Sequence, residues 1–151
     1  MRISVRVQEV DFNLSAENNA LRADDDGIGA IAQFVGVMRN QNDGDTVSAM
    51  ELEHYPGMTE KAITEIITEA SSRWTLRAAT VIHRVGKILP GEQIVWVAVC
   101  ASHRHEAFQA CEFIMDFLKS RAPFWKKETL ADGSSRWVDA RCSDAAALAR
   151  W

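Results

Sequence analysis

The decapeptide 119–128, KSRAPFWKKE, sets three lysines and an arginine around the aromatic pair Phe124-Trp125, with Pro123 marking where a preceding helix must stop. Ammonium groups beside apolar surface hold anions. Burial or a neighbouring cation also drives a lysine toward its neutral form, able to act as base or nucleophile. Lys126 and Lys127 are adjacent, so on an extended segment they point to opposite sides, and one can enter a pocket while the other is solvated. Glu128 shares a side with Lys126 and is placed to pair with it. A salt-bridged strand edge explains the same residues without chemistry.

The segment before it, 103–121, has helical periodicity. At about 100° per residue, Arg104, Phe108, Cys111, Met115 and Lys119 fall within an arc of about 80°. Two cations therefore share a stripe with apolar residues, either to serve a site or to let their stems cover apolar surface. The ends of that stripe are about 22 Å apart at the helical rise, too far for Arg104 and Lys119 to grip one small group. An extended ligand or a second subunit would remove the difficulty. His103 and Arg104 lie at the helix start, where free N–H groups and the dipole favour an anion, and Arg39 could join them in a phosphate site. His54, His83 and His105 have no metal-ligand spacing and read as structural. Cys111 reads as a small hydrophobe on the stripe.

Several elements must position these groups. Residues 2–8 alternate as a strand, with Ile3, Val5 and Val7 on one face. Ser15 is a candidate cap for a helix reaching Arg22. Residues 28–38, IGAIAQFVGVM, read as a buried strand whose Gly29 and Gly36 suggest a bulge or close backbone approach, and Arg39 opens a loop, NQNDGD. A strand from Val47 to Tyr55 precedes a helix over 58–73, with Met58, Ala62, Ile66 and Ala70 spaced four apart beside Ile63 and Ile67. Strands over 76–84 and 93–101 follow, the second nearly all apolar and so central. Ser102 would cap the 103–121 helix. A β segment near 124–130, a strand around Trp137 and a short C-terminal helix complete the chain. The mixture lacks a regular βαβ rhythm, which points to α+β.

At 151 residues the chain fits one domain with a sizeable core. A net charge of −4 argues against a general nucleic-acid binder and makes the cationic cluster a local feature suited to a small anion. Cys100, Cys111 and Cys142 form no CxxC pair, so a disulfide framework is not expected and a reducing cytoplasm fits. The opening MRISVRVQEVDF is too charged for a signal peptide, and no apolar run approaches the roughly 20 residues of a membrane span.

FVGVMR at 34–39, LEHYPGMTEKA at 52–62, HRVGKILPGE at 83–92, ASHRHEAFQAC at 101–111, MDFLKSRAPFWKKE at 115–128 and RWVDAR at 136–141 occur in an order and spacing that resemble the large, catalytic subunit of molybdopterin synthase. Met38, where valine is more usual, and Phe124, where isoleucine is common, are apolar departures. The resemblance implies an α+β fold with an α/β-hammerhead core and a central dimer of large subunits within a heterotetramer. It also implies a small ubiquitin-like partner whose C-terminal Gly-Gly thiocarboxylate supplies sulfur. The substrate would be cyclic pyranopterin monophosphate, converted to the molybdopterin dithiolene with no metal or redox cofactor.

By position, the resemblance makes Lys119 the principal catalytic residue and Lys126 its neighbour. Arg39, His103 and Arg104 would bind phosphate and pterin. Phe34, Val37, Met38 and Met115 would line the wall, with Lys127 and Glu128 beside Lys126. Arg141 would reach the other subunit's site. The competing expectation is a non-catalytic dimeric scaffold that docks the sulfur carrier.

Overall fold

A computed structural model describes residues 1–138 and 142–151. The first sheet has the order β1-β5-β7-β2, from β1 (Arg2–Gln8), β5 (Ala78–Arg84), β7 (Gln93–Ala101) and β2 (Ala30–Val37). β1 runs parallel to β5, and the other pairings are antiparallel. The interior strands β5 and β7 are buried on both faces, which is why they read as continuous apolar runs. Val95, Val97, Val99 and Ala101 face a core built with α2 (Met58–Arg73) and α3 (Arg104–Arg121). Trp96, Ala98 and Cys100 face the opposite core, with Phe12 and Leu21, beside α1 (Leu14–Arg22). Each large side chain fully buried there contributes about 1.5–3 kcal/mol.

The second sheet is built on β4 (Asp45–His54) and β8 (Phe124–Leu130), flanked by β3 (Gln41–Asn42), β6 (Gly86–Ile88) and β9 (Ser135–Val138). A third apolar cluster, Met38, Val47, Met50, Leu52, Val85 and Ile88, lies between the sheets. The last helix, α4 (Cys142–Leu148), packs on α3. The terminal Trp151 ring meets Trp74 and Phe113 edge-on, and its Nε1 donates to Asp116 at 2.6 Å.

The α+β class stands, and α2 matches its expected span at both ends. Its buried face is Thr59, Ile63, Ile66, Ile67 and Ala70, however, while Met58 is exposed. Four local expectations need correction. The cap of α1 is Asn13, whose side chain accepts from Ala16 N at 3.0 Å, not Ser15. The N-cap of α3 is His103, without a side-chain cap bond, not Ser102, whose hydroxyl donates to the Gly27 carbonyl at 3.3 Å. The NQNDGD segment is a tight hairpin in which Asp43 and Gly44 both have positive φ, 51° and 82°.

Finally, β2 is an edge strand, with Phe34 and Val37 exposed, rather than a buried one. The two glycines of the 28–38 segment behave as expected. A Cβ on Gly29 would sit 2.1 Å from the Ser102 carbonyl oxygen, and one on Gly36 would sit 2.7 Å from Val95 Cγ1 at a register shift in the β2–β7 ladder.

Candidate active-site cleft

The helix α3 ends where its chain must turn into β8. That turn is pinned by Thr59, fully buried, whose Oγ1 donates to the Pro123 carbonyl at 3.0 Å and accepts from Tyr55 N at 3.0 Å. The last turn of α3 thereby faces β8 across a cleft of about 550 Å³. β2 contributes Phe34, Val37 and, just beyond its end, Met38 and Arg39. α3 contributes Met115 and Lys119, and β8 contributes Phe124, Lys126 and Glu128. Strand alternation puts these β8 side chains on the cleft side, while Trp125 and Lys127 face away. The Lys127 ammonium lies 5.8 Å from the centre of the Trp137 ring instead.

Glu128 is 4% exposed, a depth at which a carboxylate requires partners. Asn42 Nδ2 donates to its two oxygens at 3.1 and 2.9 Å, and Arg136 Nε donates at 3.2 Å. Lys126 Nζ stands 3.9 Å from Glu128 Oε2. A buried anion therefore tethers one cleft lysine from below.

His83 forms part of the wall, its ring stacked on Phe124 at 3.9 Å between centroids. Its Nδ1 lies 2.8 Å from the Arg84 carbonyl, which can only accept, so Nδ1 carries the proton. Burial pushes this imidazole down to about 4, and nearby Lys119 acts in the same direction against the Arg84 bond. At neutral pH the ring is uncharged.

The structure thus brings Phe34, Val37, Met38, Arg39, Met115, Lys119, Lys126 and Glu128 to one cleft. His103 and Arg104 are exposed at the opposite end of α3 and do not line it, as the helical rise required. Lys127 is on the other face of β8, and Arg141 lies outside the described residues. Sequence reasoning missed His83, Asn42 and Asp144, all cleft-lining. Asn42 was hidden in a segment read as loop. His83 stands in a strand buried throughout, where nothing in the local pattern separates a wall residue from a core one.

Cys100 and Cys111 stand apart from this chemistry. The Cys111 thiol donates to the Val97 carbonyl at 3.8 Å, and burial, followed by the Glu112 charge, pushes it up to about 11. Burial also raises Cys100.

Comparison with known proteins agrees with this geometry. Residues 7–121 match the family described as MoaE protein. A molybdopterin synthase catalytic subunit from Ralstonia nicotianae is 64% identical over 148 residues, covering 98% of this chain and 84% of that protein. One from Pseudomonas aeruginosa is 54% identical, with 99% of each chain covered. The solved molybdopterin biosynthesis MoaE protein from Burkholderia ambifaria superimposes with a TM-score of 0.85 at 58% identity, covering 100% of this chain and 98% of that one. The cationic cleft at the end of α3 is accordingly a feature of a protein that belongs to the MoaE family.

Proposed function

We propose that this protein is the catalytic subunit of a molybdopterin synthase, working as one domain in the cytoplasm. It converts cyclic pyranopterin monophosphate to molybdopterin with two sulfurs from the thiocarboxylated tail of a small ubiquitin-like carrier. The observation that carries this reading is the convergence of Arg39, Lys119 and Lys126 on one partly apolar cleft of a chain whose net charge is −4. A phosphorylated pterin and a thiocarboxylate are both anions, and a site that joins them must offset two negative charges at short range.

In this reading Arg39 holds phosphate by its planar fork. Lys119 stabilises the charge that develops as sulfur attacks the pterin carbon, or moves the proton required as the cyclic phosphate opens. Lys126, tethered to Glu128, contributes the second cation, while Phe34 and Met115 form apolar walls that exclude water. His103 and Arg104 are too distant to serve the cleft of their own chain. They fit a homodimer in which each subunit lends its α3 start to its partner, inside a heterotetramer carrying one small subunit at each end.

The test is reconstitution of the purified protein with cyclic pyranopterin monophosphate and thiocarboxylated carrier, reading molybdopterin as its oxidised fluorescent derivative. Product that requires all three components is expected. Carrier binding without product would overturn the catalytic reading in favour of a scaffold.

A further inference from the structure

We infer that Arg136, which does not line the cleft, is a positioning residue that acts through Glu128 to hold Lys126 at the cleft; the inference rests on the reading of Lys126 as a site residue. Arg136 sits directly across the ladder from Glu128, on β9. Its Nε donates to Glu128 Oε1 at 3.2 Å, its Nη1 to Asp45 Oδ2 at 2.9 Å and its Nη2 to the Asn42 carbonyl at 3.2 Å. Asn42 Nδ2 in turn donates to both oxygens of Glu128, at 3.1 and 2.9 Å. The three residues close a ring that ties β3, β8 and β9 together, with β4 joined through Asp45.

This ring gives Glu128 two properties. The carboxylate cannot rotate, because both oxygens are engaged by a planar amide and one by a planar guanidinium. Its charge is also already shared with a close cation, since Arg136 lies at 3.2 Å while Lys126 is at 3.9 Å on the other oxygen. Glu128 thereby holds Lys126 at 3.9 Å rather than in a close pair with itself. Remove Arg136, and a carboxylate that is 4% exposed has one cation fewer beside it. A buried carboxylate in that state captures the remaining ammonium, pulling Lys126 down from the cleft. Arg136 thus sets how far Lys126 stands out toward an anionic ligand.

A double-mutant cycle on the full reconstituted enzyme separates this from a general structural role. With the pterin substrate varied at saturating thiocarboxylated carrier, Arg136→Ala is expected to lower kcat/KM about tenfold in the otherwise natural protein. In the Lys126→Ala background the same change should cost less than about twofold, because the residue it positions is gone. An equal loss in both backgrounds would overturn the inference. Should Arg136→Ala not fold, Arg136→Lys keeps the charge but loses the fork. It carries the same cycle with a first loss of about threefold, which must likewise vanish when Lys126 is absent. Near-normal turnover by Lys126→Ala alone would overturn the assignment of Lys126 itself, and the inference with it. That result is distinct from a Lys126-dependent enzyme in which the two losses simply multiply.

Discussion

Every residue of β5 is buried, and most are apolar, whereas β8 buries a single residue, and that residue is the carboxylate Glu128. The two strands belong to sheets that share one cleft, yet their order has different origins. The first sheet is held by dry packing on both faces, so its geometry follows from side-chain volume. The second is a half-covered sheet whose cleft face is fixed by hydrogen bonds and ion pairs among Asn42, Glu128, Arg136 and Asp45. Substitution in the packed half should cost stability and leave the chemistry of surviving molecules intact. Substitution in the polar half should do the reverse.

The strongest way to break that contrast is Phe113→Ala. Phe113 is fully buried among Trp74, Phe117 and Trp151, and its loss should lower unfolding free energy by about 3–5 kcal/mol, read as the urea midpoint, with turnover per folded molecule unchanged. Lys119→Ala, at the cleft end of the same helix, is the complementary case. Turnover should fall by about 10²–10³-fold, while the midpoint moves by no more than about 0.5 kcal/mol. A midpoint shift like that of Phe113→Ala would erase the distinction between residues that pack and residues that face the cleft.

His83 belongs to both regions and sharpens the boundary through pH. Its folded value of about 4 lies below the ordinary 6.5, so the unfolded chain binds the proton more readily. The neutral-ring contribution is therefore complete above about pH 6.5 and is lost as pH falls toward 4, by about 3 kcal/mol at pH 4. The difference in unfolding free energy between the natural protein and His83→Phe, followed from pH 7 to pH 4, should show that slope, and parallel curves would refute it. The smallest effect expected is Thr59→Val, which leaves the Pro123 carbonyl and Tyr55 N without their partner and should cost about 1–3 kcal/mol. Because Thr59 pins the turn between Lys119 and β8, calorimetry and turnover should both register it, unlike Phe113→Ala or Lys119→Ala.

Legibility in the sequence divides along similar lines. The boundaries of α2 and the central place of β7 were readable because burial leaves a period in the residues themselves. The edge position of β2 was not, since an apolar strand looks alike whether another strand or a bound partner covers it. The hairpin at 41–46 pairs two residues on each side, too few for alternation to register. At the site, alternation correctly set Lys126 and Lys127 on opposite sides, and Glu128 beside Lys126. Which lysine faced the cleft was decided by the β4–β8 register, a long-range fact. Asn42 and Arg136 reach Glu128 from 86 and 8 residues away, a convergence no local spacing reveals.

The depth of Cys111 has a consequence for reaction fidelity. With its thiol raised to about 11, only about one molecule in ten thousand carries the thiolate at pH 7. In the proposed reaction a thiocarboxylate passing Met115, one helical turn away, meets no competing thiolate at Cys111 that could attack its carbonyl carbon, form a thioester and release the sulfur as free sulfide. A protein proposed to move borrowed sulfur keeps this atom of its own out of circulation.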